Sequence, residues 1–597
     1  MTNQAVILIV MAGYMLMIIA IGILFARRSN KNAESYFLGG RTLGPWVSAM
    51  SAEASDMSGY LLMGVPGLAY WCGLADAGWT AIGLALGTYL NWLLVSRRLR
   101  SYSVAAGNAI TVPDFLSNRF HEKKKVILGV SAIFILIFFT VYAASCFVTC
   151  GKLFAGLFNM SYHSMMLVGA AFVLLYTMLG GFLAKSVSDF IQAMVMVAAL
   201  LCVLIVGTRH AGGIGAVMEN ARAIPGYLSL TQLASPVVDA SGVQQSAGGA
   251  PLFGIPESYG FLKILSTLSW GLGYFGMPQV LLRFMAIRRG EELTRSRRIA
   301  SVWVVISLTA AVAIGVMGRA LLPAEVSLAT QSGAENLFAQ VAQLLFHPVL
   351  AGLVTAGILA ATISSSDSYL LIASSAVSQN LFAGIIKKDA TDKQIMRLSR
   401  LVILLITALG LVIAWDENSV IFQVVSFAWA GFGATFGPIM LFSLFWKRTT
   451  RAGAIAGMVG GGAMVFIWKL LIKPMGGLLG IYELLPAFLF SVILIAVVSL
   501  MTAPPDAEIM ADADCMRLRA VYDFTDCKDE VTFFYRDADM PESEWRPLGT
   551  AHRMVFKMDH FTGCRIGLFL YSTKETGGIA DFYDFAYSTP NTKEGGR

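Results

Sequence analysis

Within an otherwise apolar segment the sequence runs Ser51-Ala52-Glu53-Ala54-Ser55-Asp56-Met57-Ser58-Gly59. The segment spans about residues 43–66, which is long enough to cross a hydrocarbon core that needs about 20 residues of helix. Glycine weakens a helix, and a carboxylate at the bilayer centre costs roughly 2.5–3.5 kcal/mol on insertion scales. The stretch therefore predicts a membrane helix that is interrupted at a functional position.

The composition of the whole chain supports a membrane protein. The 597 residues are 56% hydrophobic and 14% charged, with a mean hydropathy of +0.67, whereas soluble proteins carry about 25% charged residues. Apolar runs predict thirteen spans near 5–26, 43–66, 75–96, 124–156, 162–184, 186–208, 257–282, 300–322, 349–379, 400–415, 419–446, 453–472 and 480–502. The fold class we expect is all-α and polytopic.

A second interruption lies in the seventh predicted span, which contains Trp270-Gly271-Leu272-Gly273-Tyr274-Phe275-Gly276-Met277-Pro278. Proline removes a backbone donor and clashes with the preceding turn, and lipid offers no partner to the backbone groups that are freed. Two interruptions five spans apart are typical of transporters built from inverted repeats, which bind their cargo at broken helices. Close helix packing through small residues is the alternative explanation.

Basic residues predict how the chain is oriented. They recur in alternate connections, as Arg27, Arg28 and Lys31; Arg97, Arg98, Arg100 and Lys123 to Lys125; the run 283–298; Lys387, Lys388 and Lys393; and Lys447, Arg448 and Arg451. By the positive-inside rule the N-terminus is outside and the C-terminus cytoplasmic. We interpret the run 283–298 as an orientation signal. The alternation argues against a nucleic-acid-binding protein, although the net charge is +7.

The ninth predicted span carries a face of hydroxyl groups. Four small residues recur at i, i+3, i+4 and i+7 and so share one side of a helix: Ala361, Ser364, Ser365 and Ser368. Hydroxyl oxygens on one face suit a hard alkali cation, and carbonyl groups freed at a broken helix supply further oxygens. Hydrogen bonds back to the preceding turn are the alternative explanation.

Three carboxylates, Glu53, Asp56 and Asp189, lie inside predicted spans or at their ends. Such residues usually face a pathway, an ion or a partner. Asp56 can also cap the second half of a broken helix. Glu53 and Asp56 are three residues apart and can hold one proton between them, so coupling to protons stays open. No span shows a catalytic set of side chains, and we expect no enzyme.

At these residues the sequence resembles the solute:sodium symporter family, and within it the sodium/proline symporters, over about residues 5–500. The motifs are Ala54-Ser55-Asp56-Met57-Ser58-Gly59 with Leu61-Leu62-Met63-Gly64; Trp270 to Gly276 with Pro278 and Arg283-Phe284-Met285-Ala286; and Gly180-Gly181-Phe182-Leu183-Ala184 leading to Asp189. The resemblance implies 13 membrane helices, a LeuT-like core of two inverted five-helix repeats, and import of a small solute with sodium.

The resemblance also implies two sites. The positions of the main sodium site match Ala54, Met57, Ala361, Ser364 and Ser365. The positions tied to substrate match Ser58, Gly59, Tyr142, Trp270, Tyr274 and Pro278. An aromatic wall suits the pyrrolidine ring of proline, and free backbone amides suit its carboxylate. Relatives carry sugars, sialic acid, vitamins and monocarboxylates, so the substrate stays open. No obligate protein partner is inferred.

Three residues depart from the family's usual pattern. Glu53 stands where a small residue is expected, Lys185 stands where a neutral one is more usual, and Asp367 replaces a hydroxyl residue of a second sodium site. Lys185 and Asp189, at i and i+4, can share a helix face. We hypothesise that the Lys185 ammonium, paired with Asp189 or Asp367, takes the place of a second sodium ion. A lysine that snorkels to the interface is the alternative.

Residues 503–597 differ from the membrane domain, residues 1–502. Alternating stretches at 531–535 and 565–571 predict β structure. Residues 559–582 resemble part of the C-terminal β-sandwich module of family-43 xylosidases. We expect a cytoplasmic β-rich tail, which either senses a sugar or is a relict fusion. A receptor that signals through this tail is the alternative function, and a pure carrier should keep its uptake when residues 505–597 are deleted.

Overall fold

The structure is a computed structural model that describes residues 2–29, 33–179, 181–387, 389–505, 516–523, 530–537, 546–547 and 552–553. The α-helices in the first part of the described chain are α1 (Asn3–Ser29), α2 (Ala33–Leu38), α3 (Pro45–Asp56), α4 (Val65–Cys72), α5 (Leu74–Leu94), α6 (Ser96–Ala105), α7 (Val112–Arg119), α8 (Val126–Phe158), α9 (Tyr162–Leu179), α10 (Phe182–His210) and α11 (Gly213–Ala223). Those that follow are α12 (Phe261–Leu268), α13 (Pro278–Ala286), α14 (Leu293–Leu321), α15 (Gln331–Ala334), α16 (Leu337–Leu345), α17 (Pro348–Ser375), α18 (Asp392–Ile413), α19 (Ile421–Phe445), α20 (Arg451–Ile467) and α21 (Leu484–Met501).

Nine helices in the described ranges are long and apolar enough to cross a membrane. They are Asn3–Leu24, Val126–Phe158, Phe182–His210, Gly290–Leu321, Pro348–Ile386, Asp392–Ile413, Ile421–Phe445, Arg451–Met475 and Leu484–Met501. Two shorter apolar helices are Tyr60–Cys72 and Tyr162–Met178, and α5 and α6 form a pair bent by 43°. The predicted class, a helical protein with many membrane spans, is confirmed.

The second and seventh predicted spans are both broken, as the sequence predicts. In the second, α3 ends at Asp56, Met57 leaves the helical region with φ −81° and ψ 73°, and a π-helical turn at Tyr60–Gly64 leads into α4. In the seventh, a 3-10 segment at Ser269–Gly276 follows α12, and α13 begins after an extended Met277. Main-chain groups are therefore released from helical bonding at two buried places.

Two glycines allow neighbouring helices to approach these breaks. A Cβ atom at Gly59 would collide with the Thr149 side chain of α8. A Cβ atom at Gly276 would collide with the main chain of α19 at Phe432 and Gly437. Because each break is backed directly by another helix, α8 and α19 form the walls of the region between the breaks.

The helices differ in how far they lie inside the protein. The apolar windows of α17 and α19 are each 83% buried, whereas that of α1 is 28% buried. α17 packs against α8 and α10, and α10 also packs against α3. α20 and α21 pack against each other and against α19. α17 and α19 are thus central, whereas most of the α1 window is not buried by the rest of the protein.

The described strands have two residues each, except β5 and β6 of the tail, which have eight residues each. They are β1 (Gln232–Leu233), β2 (Ser246–Ala247), β3 (Ala250–Pro251), β4 (Glu257–Ser258), β5 (Met516–Asp523), β6 (Glu530–Asp537), β7 (Arg546–Pro547) and β8 (His552–Arg553). β1 pairs with β4, β2 with β3, and β6 pairs with β5, β7 and β8, all antiparallel. The predicted stretch 531–535 lies in β6. The stretch 565–571 and the xylosidase-like residues 559–582 lie outside the described residues.

Candidate functional site

Four of the five predicted sodium ligands lie together where α17 passes the end of α3. The Ser364 hydroxyl donates to the Ala54 carbonyl oxygen at 2.7 Å and to the Ala361 carbonyl oxygen at 3.1 Å. The Ser365 hydroxyl donates to the same Ala54 oxygen at 3.3 Å. All four residues are buried. Two hydroxyl and two carbonyl oxygens are thus linked through the Ser364 hydroxyl and the Ala54 carbonyl oxygen, and oxygens of this type suit a hard cation.

The next serine along the chain shows the alternative geometry. The Ser366 hydroxyl donates to the carbonyl oxygens of Thr362 and Ile363 at 2.6 and 3.3 Å, inside its own helix. Ser364 makes one such bond as well, but its shorter bond crosses to α3. The hydroxyl groups of Ser364 and Ser365 therefore face the broken helix, and that of Ser366 does not.

Met57, the fifth predicted ligand, is the residue at which α3 stops. Its N–H still donates to the Glu53 carbonyl oxygen at 2.9 Å. Its ψ of 73° turns its own carbonyl group out of the helical direction. The break therefore leaves the Met57 carbonyl oriented differently from those of α3, three residues after Ala54.

A small cavity lies beside the same break. It has a volume of about 10 Å³ and is lined by Asp56, Met57, Tyr60, Leu84, Tyr142, Trp270, Val425 and Trp429. That volume is roughly the space of one water molecule. A solute as large as an amino acid therefore requires the surrounding side chains or helices to move apart.

Trp270 is the centre of an aromatic cluster at this cavity. Its ring lies 5.5 Å from Tyr60, 5.3 Å from Phe422 and 6.0 Å from Trp429, measured between centroids. The Trp429 indole also donates to the Trp270 carbonyl oxygen at 2.8 Å. Tyr274 meets Trp429 edge-on at 5.0 Å. Aromatic pairs at these separations give a continuous apolar wall.

The main-chain oxygen of Asp56 accepts long hydrogen bonds from two tyrosine hydroxyl groups. Tyr142 and Tyr369 stack with their centroids 4.2 Å apart, and their hydroxyl groups lie 3.4 and 3.5 Å from that oxygen. These contacts are at the long end for hydrogen bonds. The Asp56 carbonyl group, next to the break, is therefore only weakly hydrogen-bonded by the two tyrosines. Tyr369 was not predicted, although its position four residues after Ser365 placed it on the same helix face.

The other predicted substrate residues shape the breaks. The Ser58 N–H donates to the Asp56 carbonyl oxygen at 3.0 Å, and the Ser58 hydroxyl accepts from the N–H of Tyr60 at 3.4 Å. Pro278 is the first residue of α13, where its missing N–H removes no helical bond. Of the six predicted substrate residues, only Tyr142 and Trp270 are among the described residues that line the cavity. The sequence analysis missed four residues that line the cavity, namely Tyr60, Leu84, Val425 and Trp429.

Lys185 does not pair with Asp189, which was one of the two partners predicted for it. Asp189 forms an ion pair with Arg283 at 3.1 Å, and both side chains are buried. The Lys185 ammonium donates to the main-chain oxygen of Asp367 and not to a carboxylate. Both carboxylate oxygens of Asp367 lack a hydrogen-bond partner among the described residues. Lys185 is buried and does not snorkel to the interface.

Arg283 holds four elements together. Its guanidinium donates to Asp189 of α10, to the Ser51 hydroxyl of α3 at 3.0 Å and to the Ser368 hydroxyl of α17 at 3.0 Å. Its own position is on α13. The interpretation of 283–298 as an orientation signal is therefore wrong for this residue, although it remains consistent with Arg288, whose side chain is 56% exposed.

Glu53 and Asp56 have separate partners. Glu53 accepts from the Trp92 indole of α5 at 3.2 Å. Asp56 accepts from the Gln279 amide of α13 at 3.3 Å. No hydrogen bond joins these two carboxyl groups, both of which the structure describes, so the predicted sharing of one proton has no geometric support.

Comparisons with known proteins identify a family and relatives of the chain. The chain matches the Sodium:solute symporter family over residues 36–461. It is 40% identical over 516 residues to the Sodium/proline symporter of Staphylococcus aureus strain USA300 / TCH1516, covering 85% of this chain and 95% of that protein. The Sodium/proline symporter of strain JH9 matches with the same identity and coverage. A solved Na+-coupled sialic acid symporter, substrate-bound and outward-open, has a TM-score of 0.64 at 18% identity, covering 84% of this chain and 99% of that one. At that identity the likeness concerns the fold.

Proposed function

The chain belongs to the sodium:solute symporter family, and from this membership we propose that it imports L-proline together with sodium by alternating access. The chain is a transporter rather than an enzyme. L-proline is proposed as the substrate because the chain is 40% identical to Sodium/proline symporters over 95% of their length. The observation that supports sodium is the meeting of Ser364 and Ser365 with the Ala54 carbonyl group.

The geometry supports a direct coupling between ion and solute. Ala54, which meets the serines of α17, lies two residues from Asp56 and three from Met57, which line the cavity. An ion that ties the end of α3 to α17 therefore also fixes part of the cavity wall. Linkage is reciprocal, so bound proline in turn favours the arrangement that binds sodium.

The solute fits the chemistry of the cavity wall. Trp270, Tyr60 and Trp429 offer aromatic surface to a pyrrolidine ring. The released backbone at residues 56–59 offers groups for the carboxylate and the ammonium, as broken helices do in transporters. Because the cavity is about 10 Å³, binding and release require the helices around the breaks to separate.

For the topology we propose thirteen spans. The nine helices, α5, α9 and the two broken helices make up this number. Spans two to six and seven to eleven are the inverted repeats, the N-terminus lies outside, and the C-terminus is cytoplasmic, in agreement with the alternation of basic residues. Residues 1–502 are the transport domain. We propose that residues 503–597 have no role in transport.

The experiment that tests this function is uptake of labelled proline into proteoliposomes. An inward sodium gradient is expected to drive accumulation, whereas an inward proton gradient without sodium is not. Accumulation driven by protons alone would move the coupling to Glu53 and Asp56. No uptake under either gradient would withdraw proline as the substrate and call for a screen that includes sugars.

We also expect one sodium ion to enter with each proline. Lys185 is buried and donates to the main-chain oxygen of Asp367, whose position matches a second sodium site in some relatives, so its ammonium takes the place of the second ion. Parallel uptake of labelled sodium and labelled proline gives the ratio directly. A ratio of two sodium ions would contradict the role of Lys185. Uptake by empty liposomes provides the background for both labels.

A further inference from the structure

The connection between α20 and α21 reaches the aromatic cluster at the cavity. Tyr482 in this connection stacks on Trp270, with 5.1 Å between centroids and 22° between planes. Its hydroxyl donates to the Ser426 carbonyl oxygen of α19 at 2.7 Å. Its main-chain N–H is also held in place, because it donates to the Ser266 hydroxyl of α12 at 2.8 Å. Ring, hydroxyl and main chain are thus each fixed to a different segment around the second break.

The residues next to Tyr482 hold the connection in place. Glu483 is fully buried and pairs with Lys473 at 2.9 Å, with Lys469 at 3.6 Å. Leu484 packs closely on Gly433: a Cβ atom added at Gly433 would lie 2.7 Å from the Leu484 side chain. The tyrosine therefore sits on an anchored segment, and its ring is presented to Trp270 in one orientation.

Trp270 has aromatic neighbours from three other parts of the chain. Tyr60 belongs to the first break, and Phe422 and Trp429 belong to α19. All three lie within the ten spans that we assign to the repeats. Tyr482 is the described aromatic neighbour that comes from beyond them, after α20. The last two helices thereby contact a residue that lines the cavity.

We propose that Tyr482 is a positioning residue for the solute: it holds the Trp270 indole in place and so makes the α20–α21 pair set the affinity for proline. This inference rests on the proposed function and extends it to helices outside the repeats. Tyr482 does not line the cavity and acts through Trp270. Loss of its ring frees one side of the indole, which then spends less time in the orientation that proline requires.

Equilibrium binding of labelled proline to the purified full-length chain tests the proposal, with KM and Vmax of sodium-driven uptake measured alongside. Tyr482→Ala is expected to raise Kd and KM about fivefold to tenfold, the size typical of one aromatic pair, and to leave Vmax and the half-saturating sodium concentration within about twofold. Tyr482→Phe keeps the stacking and is expected to bind within about twofold of the wild type. Leu478→Ala, an exposed position in the same connection, is the matched control.

Tyr482→Ala in a Trp270→Ala background shows whether Tyr482 acts through Trp270 or whether its loss disturbs the structure in general. If Tyr482 acts through Trp270, Tyr482→Ala then changes Kd by less than about twofold. An unchanged Kd in the single variant, or an equal loss in both backgrounds, would overturn the proposal. Should Tyr482→Ala fail to accumulate in the membrane, Tyr482→Leu is judged by the same criteria. Failure of the proposed function looks different, because the wild type itself would then neither bind nor take up proline.

Discussion

Replacing Ser364 and Ser365 together by alanine is expected to abolish sodium-driven accumulation of proline. Their hydroxyl groups meet the Ala54 carbonyl oxygen at the end of α3, at 2.7 and 3.3 Å. Interactions with a charged group contribute about 1.5–3 kcal/mol each, so loss of two raises the half-saturating sodium concentration by about a hundredfold or more. Proline uptake measured against sodium concentration in proteoliposomes gives this value.

The control for this pair is Ser366→Ala in the same run. The Ser366 hydroxyl donates only to carbonyl groups of its own helix, so its removal should change the sodium dependence by less than about threefold. Ser364→Thr and Ser365→Thr each keep a hydroxyl group and should retain sodium-driven accumulation of proline. If the double alanine variant keeps the sodium dependence of the wild type, the ion binds elsewhere and the assignment of these serines is wrong.

The breaks and the family could be predicted because their signals are local. Asp56, Gly59 and Pro278 are poorly suited to apolar helices, and the structure breaks both helices beside these residues. The family predicted from these motifs is confirmed by the match over residues 36–461. The short period of a helix likewise placed Ser364 and Ser365 on one face.

The same period argument could not say what that face meets. It grouped Ser368 with Ser364, yet the Ser368 hydroxyl accepts from Arg283 and lies apart from the Ala54 contact. The partners of Arg283 are far from it in sequence. Residues 51, 189 and 368 come from three other helices. Spacing along one helix carries no information about such a cluster, whereas burial of a charge in the folded chain does.

Trp429 and Tyr482 were missed for a related reason. Aromatic residues are common in apolar membrane helices and give no local signal. Each becomes recognisable only through Trp270, which a glycine-rich break had singled out and which both residues contact in the structure. Sequence patterns thus found the centre of the site, and tertiary packing defines its walls.

Arg283→Ala is expected to lower the free energy of unfolding by about 3–5 kcal/mol and to stop transport. The substitution leaves the buried Asp189 carboxylate without its cation, which is the costly way to break a buried ion pair. It also removes the guanidinium donors to Ser51 of α3 and Ser368 of α17, so that α13 loses these two side-chain hydrogen bonds. Unfolding of the purified protein in mixed micelles measures the stability, and proteoliposome uptake measures the transport.

Two comparisons show whether the buried charge is the cause. Arg288→Ala removes a pair with Glu292 in which the side chains are 56% and 19% exposed, and such a pair is worth at most about 1 kcal/mol. Arg283→Met combined with Asp189→Leu removes both charges and should recover stability relative to Arg283→Ala, because no buried charge is left alone. Transport should stay lost in that double variant, since the hydrogen bonds from position 283 to Ser51 and Ser368 are not restored. Equal stability of Arg283→Ala and Arg288→Ala would show that the Asp189 pair contributes nothing that an exposed pair does not.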